Sequence, residues 1–209
     1  MTTVYSENPS NWNAVESYVN KGDFTRELFL RKACYFYDAC SFRYHANLCD
    51  HAAKKISEFM KRHDGLVVLT RCVLMELASV GGVLHPAYIR YFKNLDLCGL
   101  HVYVIYEEDL FEVLAGCFST YAKVNSFLMW ATRMMKSPVS TITVALEEEE
   151  GLAETFLKGK HLDDRGLFRR FFSAVRRRKE PGDHLGEELL GICLYMLSQL
   201  PGEEEGKFC

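Results

Sequence analysis

The stretch that decides the fold is Ala33-Cys34-Tyr35-Phe36-Tyr37-Asp38, an apolar and aromatic run that ends in a carboxylate. Such a run of apolar, largely aromatic residues indicates a buried strand. Two further runs of this kind follow, at 66–69 and 101–106. Helical patterns lie between the runs, over 45–62, over 71–79 and from Pro86 onward. The order strand, helix, strand, helix, strand predicts an α/β protein with a central parallel sheet and right-handed crossovers.

The rest of the chain is mostly helical by pattern, over 108–118, 121–136, 164–179 and 185–200, while 141–144 fits a short strand or a helix equally well. The whole chain has 209 residues, of which 48% are hydrophobic and 25% charged. This balance excludes a disordered or fibrous protein, and the length suffices for a core without disulfide bonds. We therefore expect one domain over 1–209.

The eight cysteines are scattered and include no C-x-x-C pair, which argues against a zinc ribbon or a thioredoxin-type motif. The polar start, MTTVYSENPSNWN, does not resemble a signal peptide. No apolar run approaches the ~20 residues that span a bilayer. These features predict reduced thiols, a cytoplasmic location and no membrane segment.

Two acids lie where a parallel sheet forms sites, at or after the carboxyl ends of strands, and a third acid begins a later helix. Asp38 ends the first strand, and Glu76 lies on the helix after the second, on a largely apolar face. Glu187 begins the apolar helix 185–200, next to Glu188. Each has a plainer reading: Asp38 as a helix cap, Glu76 as a rim residue, and Glu187 or Glu188 as a first-turn acid that the helix dipole favours.

Together these segments resemble the PIN-domain nucleases. The resemblance is carried by Tyr-Phe-Tyr-Asp38-Ala-Cys-Ser, by Val-Val-Leu-Thr70-Arg-Cys-Val-Leu-Met-Glu76-Leu, and by Gly182-Asp183-x-x-Gly186-Glu187-Glu188-x-x-x-Ile-Cys. In that family an Asp ends the first strand, a Glu follows the second, and a later helix begins with an acid. The resemblance covers 33–79 and 182–200. It implies a three-layer α/β/α fold with a central parallel sheet, in which 107–181 is a helical insertion.

The resemblance also implies a function: an endoribonuclease that hydrolyses RNA phosphodiester bonds with Mg²⁺ or Mn²⁺. Carried over by position, Asp38, Glu76 and Glu187 are the catalytic metal ligands. Candidate additional site residues are Ser41, Thr70, Asp183 and Glu188. The family normally has one more strand with a further acidic motif. Here the chain ends at Lys207-Phe208-Cys209, about where that strand would start, so 201–209 is expected to be an incomplete strand region.

A basic helix is the second candidate for function. The formal net charge is −3 overall, but 158–179 contains nine Lys or Arg and two Asp, net +7, and 180–209 has net −6. A basic cluster can bind an anion locally without overall basicity. The candidate RNA contacts are Arg169, Arg170, Arg176, Arg177, Arg178 and Lys179, against the alternative of a plain solvated helix face. Among the histidines, His45 and His184 lie near proposed acids.

Other catalytic motifs are absent from the sequence. It has no G-x-G-x-x-G after a strand, no G-x-x-x-x-G-K-[ST] and no G-x-S-x-G, which excludes the usual dinucleotide, P-loop and serine hydrolase patterns. The main alternative to the nuclease is a catalytically weak or inactive PIN-like module. Such a module would bind RNA, a protein partner or a second copy of the chain.

Overall fold

The computed structural model describes residues 2–117 and 165–200, together with a few helical positions between them. The chain divides after Ile105 into two compact units, the second of which spans Tyr106–Glu203. The boundary lies next to the start of the insertion expected at 107–181. The second unit also takes in the helix that carries Glu187, which the PIN-like pattern would group with the sheet. Residues 201–209, expected as an incomplete strand, lie outside the described residues.

The first unit contains a three-stranded parallel sheet of order β1-β2-β3. Its strands are β1 (Ala33–Tyr37), β2 (Gly65–Thr70) and β3 (His101–Ile105). The register pairs Tyr37 with Leu69 and Thr70 with Ile105. All six residues of the central strand β2 are buried, as expected for a strand covered on both faces. The sequence prediction of an α/β fold with a central parallel sheet is confirmed, and the arrangement is compatible with three layers.

Five α-helices precede or connect these strands along the chain. They are α1 (Phe24–Leu30), α2 (Ala39–Ala46), α3 (Asp50–Arg62), α4 (Arg71–Leu77) and α5 (Pro86–Leu97), preceded by short 3₁₀ helices at Trp12–Ala14 and Glu16–Tyr18. The single helix predicted over 45–62 is in fact two. The first begins at once after Asp38 and ends at the C-cap Asn47, and the second starts from the N-cap Cys49.

The core of the first unit lies between the strands and helices α2 to α5. Phe42 of α2 is fully buried, and its ring lies 5.2 Å from Tyr91 and 4.8 Å from Phe92 of α5, centroid to centroid. Such aromatic pairs contribute about 0.5–1.5 kcal/mol each beyond area burial. Gly65 is needed where β2 begins, because a Cβ there would lie 2.7 Å from both the Met60 carbonyl oxygen and the Tyr35 ring. The seven cysteines that are described are free thiols.

The second unit is helical wherever it is described as regular structure. Its helices include α6 (Asp109–Cys117), α7 (Arg165–Arg177) and α8 (Leu185–Ser198). Ile142 and Val144 are also helical, which decides between the strand and helix alternatives at these two positions. In α7 the side chains of Phe171, Phe172 and Val175 are buried, as the periodicity predicts. None of the described helices combines the length and the apolar character that crossing a membrane requires.

Candidate active site

Polar residues cap both helices that leave the carboxyl edge of the sheet. Asp38 directly follows β1, and its Oδ1 accepts a hydrogen bond of 2.6 Å from the backbone N–H of Ser41. Thr70 ends β2, is fully buried, and accepts from the backbone N–H of Val73 at 3.5 Å. Because Tyr37 pairs with Leu69, Asp38 and Thr70 occupy neighbouring positions at one edge of the sheet. Asp38 is therefore a helix cap, and it stands where sheet proteins of this type place their sites.

Glu76 lies on the helix next to the one that Asp38 caps. It is the one residue of α4 that is not fully buried, and its Oε1 is shielded from solvent. Arg43 of α2 donates a hydrogen bond of 2.7 Å to the backbone carbonyl of Glu76. This bond ties α2 to α4. The structure thus packs α2, which Asp38 caps, against α4, which carries Glu76.

The third predicted ligand and its neighbours belong to the second unit. Glu187 is exposed in the first turn of α8, and Glu188 is half-buried, with one carboxylate oxygen 3.4 Å from the backbone nitrogen of Ile142. Asp183 forms an ion pair with Lys179 and also accepts from the backbone N–H groups of Glu180 and Leu185. Asp183 therefore stabilises the turn between α7 and α8, and its role as an additional site residue stays a prediction.

Four residues at or after the carboxyl ends of β1 and β2 carry oxygen atoms of the kind that a hard divalent cation binds. Asp38 and Glu76 supply carboxylate oxygens, while Ser41 and Thr70 supply hydroxyl groups. Mg²⁺ prefers such oxygens and is usually held through one or two carboxylates together with substrate phosphates. Over the part of the chain that is described, no group of three or more His, Cys, Asp or Glu side chains is placed to hold a metal ion.

Some cationic side chains in and directly after the basic helix α7 are exposed, and others are buried. Arg169, Arg170 and Arg177 are exposed, and Arg178 is half-buried and donates to the carbonyl of Ala174 at 3.0 Å. Arg176 and Lys179 were expected as RNA contacts, but they are only 1% and 8% exposed. Arg176 pairs with Glu107 and Glu108, and Lys179 pairs with Asp183, so the charge of both is used inside the unit and the exposed arginines are the better candidates for RNA contact.

Arg176 is the centre of a buried charge cluster, which we call the arginine cluster: Arg176, Glu107, Glu108 and Tyr106. One guanidinium nitrogen of Arg176 lies 2.5 Å from Glu107 and 2.6 Å from Glu108, and a second donates to Glu108 at 2.9 Å. The guanidinium also lies 5.1 Å from the centroid of the Tyr106 ring. Glu107 is fully buried. Sequence reasoning missed this pairing, although two acids directly after β3 were a visible signal.

No family model, curated protein or solved structure matches this chain. The PIN-like assignment therefore stays a prediction from three short motifs. The coarser statement, an α/β fold whose parallel sheet has three strands, is what the structure itself shows.

A chain of hydrogen bonds runs beside the site in the first unit. The hydroxyl of Tyr37 lies 2.9 Å from the hydroxyl of Tyr91 and 2.8 Å from Nδ1 of His45. Burial raises the pKa of Tyr37 to about 12 and raises that of Tyr91 further, while burial lowers the pKa of His45. The imidazole of His45 is therefore neutral at pH 7. The sequence drew attention to His45, but nothing in it indicated the two tyrosine partners.

The raised pKa values of Tyr37 and Tyr91 predict a loss of folding stability at alkaline pH. Their folded pKa values exceed the unfolded value of about 10, so the stability that they contribute is complete below pH 10 and is lost as the pH rises toward 12. We expect the free energy of unfolding to fall over this range. The fall should be shallower in a Tyr37→Phe, Tyr91→Phe variant, measured by urea unfolding at intervals from pH 8 to about 11. If the free energy of unfolding falls equally steeply with pH in both proteins, the raised pKa values of Tyr37 and Tyr91 are contradicted.

Proposed function

We propose that this chain is a PIN-like, metal-dependent endoribonuclease whose site is built around Asp38 and Glu76. The observation that carries the proposal is that Asp38 directly follows β1 and caps α2, and that α2 is hydrogen-bonded to α4, the helix after β2 that carries Glu76. Mg²⁺ or Mn²⁺ is the proposed cofactor, and RNA is the proposed substrate.

When bound, the cation would lower the pKa of a water and stabilise the charge of the leaving oxygen. The roles of the protein groups follow from their positions. Asp38 and Glu76 would hold the cation, and the capping bond from Ser41 would keep the Asp38 carboxylate in one orientation. The role of Glu187 as a third acid stays a prediction from the sequence; the residue is exposed in the first turn of its own helix.

The proposal also gives the exposed arginines of α7 a function. Arg169, Arg170 and Arg177 present positive charge to solvent, as binding of a phosphate backbone requires. This feature equally favours the second candidate, a PIN-like module that binds RNA without cutting it. Both candidates predict binding of single-stranded RNA that weakens steeply with salt, and only the nuclease predicts products.

The test is cleavage of a mixed single-stranded RNA pool by the full chain, in Mn²⁺ and in EDTA. We expect products in Mn²⁺ and none in EDTA. Equal product in both conditions would indicate a contaminating metal-independent ribonuclease. RNA binding with no product at high protein concentration would contradict the nuclease and support the binding module.

A further inference from the structure

The first unit contains a cavity of about 260 Å³ between β1, α2 and α3. Its walls are mainly aromatic and aliphatic, with Tyr35 and Phe36 from the strand, and Ile56 and Phe59 from α3. Phe59 is 48% exposed, so the rim of the cavity reaches solvent. Binding sites for drug-sized molecules occupy roughly 300–1,000 Å³, so this cavity suits a smaller, flat and largely apolar group.

A few polar groups are set into these apolar walls. Ser41 and His45, both on α2, line the cavity, as does Tyr37. Nδ1 of His45 is engaged by the Tyr37 hydroxyl, which is itself bonded to Tyr91. This chain can run in either direction: if Tyr37 donates to Nδ1, then Nε2 of the neutral ring bears a proton, and if Nδ1 donates, Nε2 accepts. Nε2 of His45 can therefore act either as a hydrogen-bond donor or as an acceptor toward a ligand in the cavity.

The cavity adjoins the proposed catalytic acid. Ser41, which lines the cavity, donates its backbone N–H to the Asp38 carboxylate at 2.6 Å. A ligand that fills the cavity would thus contact Ser41, which is itself hydrogen-bonded to Asp38. Among the described residues that line the cavity, His45 is the one titratable side chain with a basic group, and it is neutral at pH 7. A phosphate or carboxylate would therefore find no cationic partner there.

We propose that this cavity binds one uncharged nucleobase of the single-stranded RNA whose phosphodiester lies at Asp38. Single-stranded RNA is recognised by bases that splay out, stack on aromatic side chains and hydrogen-bond along their edges. The aromatic wall supplies the stacking surface, and His45 supplies an edge contact that adapts to donor or acceptor. The inference rests on the proposed function for its substrate class, RNA, whereas the base site itself is testable without any catalysis.

The experiment uses the full chain in EDTA, so that no cleavage occurs. In one arm, saturation-transfer NMR detects binding of adenosine, guanosine, cytidine and uridine. In the other, fluorescence anisotropy measures the Kd of a short, end-labelled single-stranded RNA. Two variants change the cavity: Phe59→Ala removes a stacking surface, and Ile56→Trp fills the space. Phe29→Ala, an exposed phenylalanine on α1, is the matched control.

We expect nucleoside signals from the wild type and from Phe29→Ala, and none from Ile56→Trp. Phe59→Ala should bind RNA about tenfold more weakly, which is the lower part of the range for losing one base–aromatic stack. Thermal melting checks the fold of each variant. If Ile56→Trp does not fold, Phe59→Ala, altered at a half-exposed side chain, decides.

The outcomes separate this inference from the nuclease proposal. No nucleoside signal, together with unchanged RNA binding by Phe59→Ala, overturns the base site, even if RNA is cleaved through Asp38. Nucleoside binding that the cavity variants abolish supports the base site, even if no RNA is cut and the nuclease proposal fails. Nucleoside binding with unchanged RNA affinity in Phe59→Ala overturns the assignment to an RNA strand and indicates a free nucleoside instead.

Discussion

Replacing Asp38 by Asn is expected to reduce Mn²⁺-dependent RNA cleavage about a thousandfold. A bound cation supplies several kcal/mol of transition-state stabilisation, and about 1.4 kcal/mol corresponds to a factor of ten in rate. Asn caps a helix about as well as Asp, so the bond to the Ser41 N–H and the start of α2 should be preserved. The substitution thus removes the charge and keeps the fold. Cleavage of single-stranded RNA in saturating Mn²⁺ measures the loss.

Thermal melting gives the same substitution a second readout that does not depend on catalysis. A ligand at 100 times its Kd stabilises the folded state by about 2.7 kcal/mol. We therefore expect Mn²⁺ to raise the Tm of the wild type and to leave the Tm of Asp38→Asn unchanged. Without metal the two proteins should melt alike, because the cap remains.

Asp23 provides a matched control for Asp38. It caps α1 in the same way, by accepting a 3.2 Å hydrogen bond from the backbone N–H of Arg26, but it precedes β1 and does not directly follow a strand. Asp23→Asn should retain cleavage and the Mn²⁺ shift. If Asp38→Asn behaves like Asp23→Asn in both assays, Asp38 is a helix cap only and the proposed metal site is wrong.

Replacing Arg176 by Met is expected to destabilise the second unit by about 3–5 kcal/mol. The change leaves the fully buried Glu107 and the nearly buried Glu108 without their cation, and an uncompensated buried charge costs about this much. The unit can be followed separately, because the chain has two tryptophans, Trp12 and Trp130, one in each unit. In a Trp12→Phe background, urea unfolding detected by fluorescence reports Trp130 alone.

Two further variants test whether charge pairing is the cause. Arg177→Met, one residue along the same helix and exposed, should change the free energy of unfolding by less than about 0.5 kcal/mol. Adding Glu107→Gln and Glu108→Gln to Arg176→Met removes the buried charges and should restore much of the loss. Equal effects of Arg176→Met and Arg177→Met would contradict the buried arginine cluster.

The sequence predicted the strands well because each is a short apolar run between helical segments. It was less successful between the strands. The helix predicted over 45–62 overlooked α2, although Ala39, Phe42 and Ala46 follow helical spacing and are buried. An Asp at the end of a strand can begin a helix immediately by capping it, and the aromatic strand pattern ending at Asp38 obscured that signal.

For the site, residue type and position after the strands mark Asp38 and Glu76 as candidates, since parallel strands bring their carboxyl ends to one edge. The sequence could not show which cationic side chains of α7 are exposed and which are buried. Arg169, Arg170 and Arg177 are exposed, whereas Arg176 is buried in the arginine cluster, and these residues share one charge run. Which arginine turns inward depends on the packing of the helix against acids elsewhere in the chain.

The sequence by itself thus determined the class of fold, the order of its strands along the chain, and the acid that directly follows β1. These follow from local rules of burial, periodicity and capping that act over a few residues. Only the tertiary structure decided the pairing of Arg176 with Glu107 and Glu108, the hydrogen-bond chain from Tyr91 through Tyr37 to His45, and the cavity beside Asp38. Most of these contacts join residues far apart in the chain. They form because burial leaves each polar group in need of a partner, and packing determines which partner is within reach.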